Sequence, residues 1–147
     1  MRLDSNRFGA LEVEDARLVD FPLGLAGLKG RHWALVESAP AGGTLWLHSV
    51  ENASLALPII DPRLSFPDFA LMVAREELDH LGLAAAEAAV YATVRVVPGG
   101  LAANLKAPLL ILRGCGYQVT NLHPAASLRA ALPAPASPPG GASGSGD

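Results

Sequence analysis

Cysteine is almost absent: Cys115 is the single one in 147 residues. One thiol excludes an internal disulfide framework and a multi-cysteine zinc site. Positive charge is thin as well. Lys and Arg number 11 against 14 Asp and Glu, giving a formal net charge of -3, and the basic residues are scattered from Arg2 to Arg129. Direct nucleic-acid binding needs a concentrated positive field that displaces counterions, so none is expected. No apolar run approaches the ~20 residues that a bilayer-spanning helix needs. The stretch Leu105 to Leu112 is broken by Lys106 and Pro108. Met1 to Gly9 carries Arg2, Asp4 and Arg7 and no apolar core, so it does not read as a signal peptide. The expectation is a cytoplasmic protein with no membrane partner.

What is present fits a packed core. Hydrophobic residues make up 50% and charged residues 17%, and the length suits one domain. From Pro133 the chain reads PAPASPPGGASGSGD, with no large apolar side chain. Nothing there offsets the entropy of ordering, which predicts a disordered Pro/Gly/Ser-rich tail over 133–147 and a folded domain over 1–132.

The domain reads as mainly β, a barrel or a sandwich with one or two short helices. Ala10–Glu14, Thr44–Val50 and Ala89–Val97 alternate with a period of two, which puts successive side chains on opposite faces of a sheet. In the last of these, Val90, Ala92, Val94 and Val96 share one side. Leu55–Ile60 and Leu109–Leu112 are continuous apolar runs, expected as strands buried on both faces. Phe69–Val73 and Tyr117–Thr120 are further strand candidates. Breakers separate them at Pro40–Gly43, Asp61-Pro62, Phe66-Pro67, Pro98–Gly100 and Gly114–Gly116. Arg75–Gly82 reads as the one clear helix, with acids in its first turn and Gly82 at its end; Ala84–Ala88 extends it or forms a second turn.

The catalytic inventory is poor. Gly24, Gly27 and Gly30 lack the Gly-Lys-Ser/Thr ending of a phosphate loop and lead into the strand-like His32–Val36, so a tight turn is expected. His32, His48, His80 and His123 have no metal-ligand spacing. His48 reads as a rim or hydrogen-bonded histidine, and His80 with Glu76 as a solvated pair. Cys115 lies between glycines without a Cys-His signature. Asp61 and Asp68 flank prolines, where carboxylates cap turns more often than they pair as acid and base. No catalytic residue, metal or cofactor is expected, and a binding module is the better reading. The alternative is a small-molecule-binding or hydrolytic barrel in which Cys115 or His48 converges with Asp61.

An ordered set of boxes resembles the flagellar assembly factor FliW family. Phe21-Pro-Leu-Gly-Leu-Ala-Gly27 is similar to that family's F-P-x-G box. Trp46-Leu-His-Ser-Val-Glu-Asn52 with Leu55–Pro62 is similar to its L-x-S-V acidic box and the strand that follows. Phe66-Pro-Asp-Phe69, Leu101–Ile111 and Gly116-Tyr-Gln-Val119 match the next three in order. The family's C-terminal box survives only as Asn121-Leu122-His123-Pro124. The resemblance implies a small β-barrel-like fold, no catalysis, and two protein partners: the translational regulator CsrA, which such proteins antagonise, and flagellin. Cytoplasmic flagellin would titrate the factor and free CsrA to repress flagellin translation.

Partner binding needs apolar anchors inside a polar rim. Phe66–Met72 is the best local candidate, because Pro67 keeps it off a central ladder. Phe69 and Leu71 project to one side as partner contacts or as ordinary core. Asn104 is a third candidate contact, or else a turn residue whose amide bonds backbone. Trp33 and Trp46 read as core.

Overall fold

The computed structural model describes residues 1–38 and 44–132. The turn expected at Pro40–Gly43 and the tail expected from Pro133 lie outside the described residues. Alternation of apolar and polar residues produces strands in chain order: β1 Arg2–Ser5, β2 Gly9–Glu12, β3 Leu18–Asp20, β4 His32–Glu37, β5 Leu45–Ser49, β6 Ala56–Ile60, β7 Ala89–Val97, β8 Gly100–Ala103, β9 Leu109–Leu112, β10 Cys115–Gln118 and β11 Ala130–Ala131. Two short helices, α1 Pro62–Ser65 and α2 Arg75–Leu81, lie between β6 and β7. Seven strands run in the order β7-β6-β5-β4-β3-β10-β9, and β9 returns to pair with β7, which closes a barrel. Closure removes the open edges that an isolated sheet would present.

Phe21, Trp33, Leu47, Ile59 and Leu109 fill the interior with Val19, Leu25 and Ile111. A second layer lies outside β4 and β5. There the β1–β2 hairpin brings Leu3 and Val13 against Ala34 and Val36, with Phe8 and Trp46 at the margin. Both faces of β4 are therefore covered, Trp33 inward and Ala34 outward. His48 sits in this outer layer, fully buried. The Ser5 hydroxyl accepts from the backbone N–H groups of Arg7 and Phe8, so its one proton is left for His48 Nε2 at 2.7 Å. Nδ1 then carries the ring proton and donates to the Ser49 carbonyl at 2.7 Å. Of the two roles open to His48, the hydrogen-bonded one is realised and the rim position is not.

A third layer covers β7 from outside. Val90 and Leu110 pack against α2 and the Leu71–Val73 stretch, while Tyr91 packs against the interior cluster. β7 pairs with β9 over Ala89–Tyr91 and with β8 over Val94–Val97. Its second half thus leaves the barrel, and Val96, expected on the buried side, is 80% exposed. β6 also departs from expectation: only Ile59 of the Leu55–Ile60 run is fully buried, whereas β9 is buried through Leu109–Ile111. The Asp61-Pro62 breaker starts a helix instead of a turn. Asp61 Oδ1 accepts from Arg63 N at 2.9 Å, with proline in the first turn. α2 ends at Gly82 in the left-handed conformation, as its sequence predicts, and Ala85–Glu87 forms a separate 3-10 turn.

Candidate functional site

Phe69–Val73 does not form a strand. Pro67 removes one backbone donor, and the segment finds no neighbouring strand in register. It runs extended between α1 and α2, with Phe69 and Leu71 half-buried against the layer over β7. Phe69 also touches the cluster of Ala103 and Leu105. On one side of the segment a cleft of about 240 Å³ lies among Phe66, Phe69, Leu105, His123 and Ala126. On the other, a groove of about 370 Å³ is lined by Arg63, Phe69, Leu71, Ala85, Ala86 and Val90. Phe69 is thus a wall shared by both. Met72 is 49% exposed and Leu122 is 52% exposed, and Leu122 N–H donates to the Met72 carbonyl at 2.6 Å. Two exposed apolar residues are therefore carried on stretches of chain joined by a backbone hydrogen bond. The first turn of α2 supplies an acidic margin, with Glu76 exposed and Glu77 accepting from Thr120 N at 3.2 Å.

Asn104 lies at the corner where the chain passes from β8 to β9, one residue before Leu105 of the cleft. Its Oδ1 accepts from Lys106 N at 3.0 Å and Ala107 N at 3.1 Å. This is the turn-forming use of a short amide. The corner is tied further by Gln118, whose Nε2 donates to the Ala107 carbonyl at 3.1 Å. Gln118 Oε1 in turn accepts from Ala26 N at 2.9 Å.

The other boxes interlock in the same way. Phe21 packs so closely on Gly116 that a Cβ there would meet its ring at 2.5 Å. Glu51 Oε1 accepts from Arg31 N at 2.9 Å and His32 N at 3.0 Å, and these two amides, that of His32 first, hold its carboxyl below the ordinary value of 4.5. Gly24, Gly27 and Gly30 all adopt positive φ, and Leu25 bridges Leu28, so this stretch is a tight turn.

The groups weighed for catalysis do not come together. Both nitrogens of His48 are used in its buried bonds, Asp61 caps α1, and Cys115 sits in register with Asp20 on β3. Beside Cys115, Arg31 forms a two-point ion pair with Asp20 at 2.8 and 2.7 Å. The hydrogen bond from Arg31 keeps the Asp20 carboxyl below its usual range, and a hydrogen bond to Cys115, then desolvation, raises the Tyr117 phenol. Among the described residues no three His, Cys, Asp or Glu side chains are grouped to hold a metal ion.

One residue near the segment was not singled out from the sequence. Asn121 is fully buried and lines the cleft below Phe69. The signal for it was a period of two, since Val119 and Asn121 share a side as strand β10 runs out.

Comparison with known proteins bears on the family and the fold. The profile of the family described as FliW protein matches residues 2–132. The flagellar assembly factor FliW of Natranaerobius thermophilus is 33% identical over 131 residues, covering 84% of this chain and 86% of that protein. The protein of the same description from Thermotoga neapolitana is 31% identical over 115 residues, covering 73% of this chain and 75% of its own length. A crystal structure of the flagellar assembly factor FliW superposes with a TM-score of 0.78 over 91% of this chain and 98% of that one, at 22% identity. At that identity the likeness is one of fold.

Proposed function

The chain belongs to the FliW family of flagellar assembly factors, and from that premise we propose that it acts by protein–protein contact alone. In this reading it binds and antagonises the translational regulator CsrA in the cytoplasm. It also binds flagellin, and competition between the two couples flagellin synthesis to filament assembly. It carries out no catalysis and needs no cofactor. The observation that carries the reading is the family match over residues 2–132.

The surface we assign to a partner is the Phe66–Met72 segment with its two flanking grooves. Its backbone lies outside the ladders, and Met72 with Leu122 offers an exposed apolar pair. Phe69 and Leu71 contribute the groove walls, and Asn104 shapes the neighbouring corner. Apolar anchors set within a polar margin are the usual core of such a contact.

Calorimetry with CsrA and flagellin purified from the same organism tests the function. Binding at micromolar concentration or tighter is expected for each, and no binding to either refutes it. Turnover of any small substrate by the purified protein would favour the hydrolytic alternative. Leu71→Asp tests the surface: it should weaken binding about tenfold or more, since one desolvated contact is worth on the order of 1–2 kcal/mol. A melting curve decides whether the variant is folded. Undiminished affinity of a folded variant would remove this segment from the interface.

A further inference from the structure

An extended segment outside a ladder must satisfy its backbone by other means. For Ala70–Met72 most of that pairing comes from one side chain. Asn121 Nδ2 donates to the Ala70 carbonyl at 3.0 Å and the Leu105 carbonyl at 3.1 Å. Its Oδ1 accepts from Met72 N at 2.9 Å and His123 N at 3.2 Å. Both donors and the acceptor of the amide are thus in use, on three separate stretches of chain. The Asn121 backbone N–H adds a bond to the Lys106 carbonyl at 2.8 Å, and Leu122 N–H adds the one to Met72. Ala70 and Met72 receive from Asn121 the pairing that a neighbouring strand would give.

We propose that Asn121 is the positioning residue of the partner-binding surface, fixing Phe69–Met72 in the extended form in which Leu71 faces its groove and Met72 faces outward. The inference rests on the reading of that segment as the partner surface. Its physical basis is preorganisation. A segment that spends only a fraction of its time in the binding form loses affinity by that same fraction.

Asn121→Leu keeps the volume and removes every side-chain bond. Amide exchange at Met72 and Leu122 should then accelerate on the order of ten- to a hundredfold while Trp33–Val36 and Leu109–Ile111 stay protected. Affinity for CsrA or flagellin, whichever Leu71→Asp weakens, should fall by the factor 1 + Kopen, where Kopen is the segment's opening constant given by the same exchange data. In a Leu71→Asp background the Asn121 substitution should add little, because it acts through the same contact. Asn121→Ser, which retains one hydroxyl, should fall between the parent and the leucine variant and serves if that variant does not fold.

Affinity that survives a freed segment overturns the inference alone. Loss of barrel protection in both variants also overturns it, by making Asn121 a support of the whole fold. Leu71→Asp without effect on either partner overturns the surface reading and this inference with it.

Discussion

Gly116→Ala is the sharpest test of how the boxes fit together. Gly116 lies on β10 with an ordinary strand φ, so a side chain meets no backbone obstacle there. The obstacle is Phe21. An added Cβ would lie 2.5 Å from Cζ, 2.6 Å from Cε2 and 3.0 Å from Cδ2 of its ring. Carbon atoms in van der Waals contact sit about 3.5–4.0 Å apart, so the intrusion is roughly 1 Å. The ring has no free direction of escape, because Phe21 is fully buried in the interior cluster with Trp33 and Leu47. Overpacking of this kind costs about 1–3 kcal/mol. Against it, replacing glycine by alanine lowers the entropy of the unfolded chain and returns about 0.4–1 kcal/mol. The clash wins, with a net loss of roughly 1–1.5 kcal/mol, or on the order of 4–6 °C in Tm for a domain of this size. Thermal melts followed by circular dichroism measure it. Phe21→Leu should relieve the clash, so the double variant should be at least ~1 kcal/mol more stable than the sum of the singles. A neutral Gly116→Ala, or strict additivity with Phe21→Leu, would refute the packing argument.

Three further outcomes are expected. Asn104→Ala leaves Lys106 N and Ala107 N without their acceptor and should lower stability by about 1 kcal/mol with partner affinity unchanged; a fall in affinity without a fall in Tm would make Asn104 a contact residue. Glu51→Gln should flatten the acid limb of the melting profile. The Glu51 carboxyl is held below 4.5 in the fold, so its contribution is present above that pH and is lost as the pH drops through the lowered value; a variant as acid-sensitive as the parent would contradict this. Deletion of Pro133–Asp147 should leave both Tm and partner affinity unchanged, and a large drop in either would show that the segment takes part in the fold or the interface.

Strand positions were legible wherever apolar and polar residues alternate. Ala89–Val97 emerges as one strand with the bounds its sequence shows, and Gly82 ends α2 where expected. A period of two is a local property, so the sequence carries it openly. The same holds for the turn at Gly24–Gly30 and for the family boxes. Short or weakly patterned strands were not legible: β1, β3, β8 and the two-residue β11 exist because neighbours supply hydrogen bonds. Phe69–Val73 shows the reverse. Its pattern suits a strand, but no partner lies in register, and the amide of Asn121 takes the ladder's place.

The sequence by itself determined the mainly β class, the family and helix α2, because periodicity, the Gly82 stop and motif order are written along the chain. Only the tertiary structure decided that His48 is buried with its tautomer fixed by Ser5 and that Gly116 must be small for Phe21. It also decided that Asn121 binds three stretches together. Each of these depends on a contact between residues far apart in the chain, and the energy of such a contact is settled only when the barrel closes.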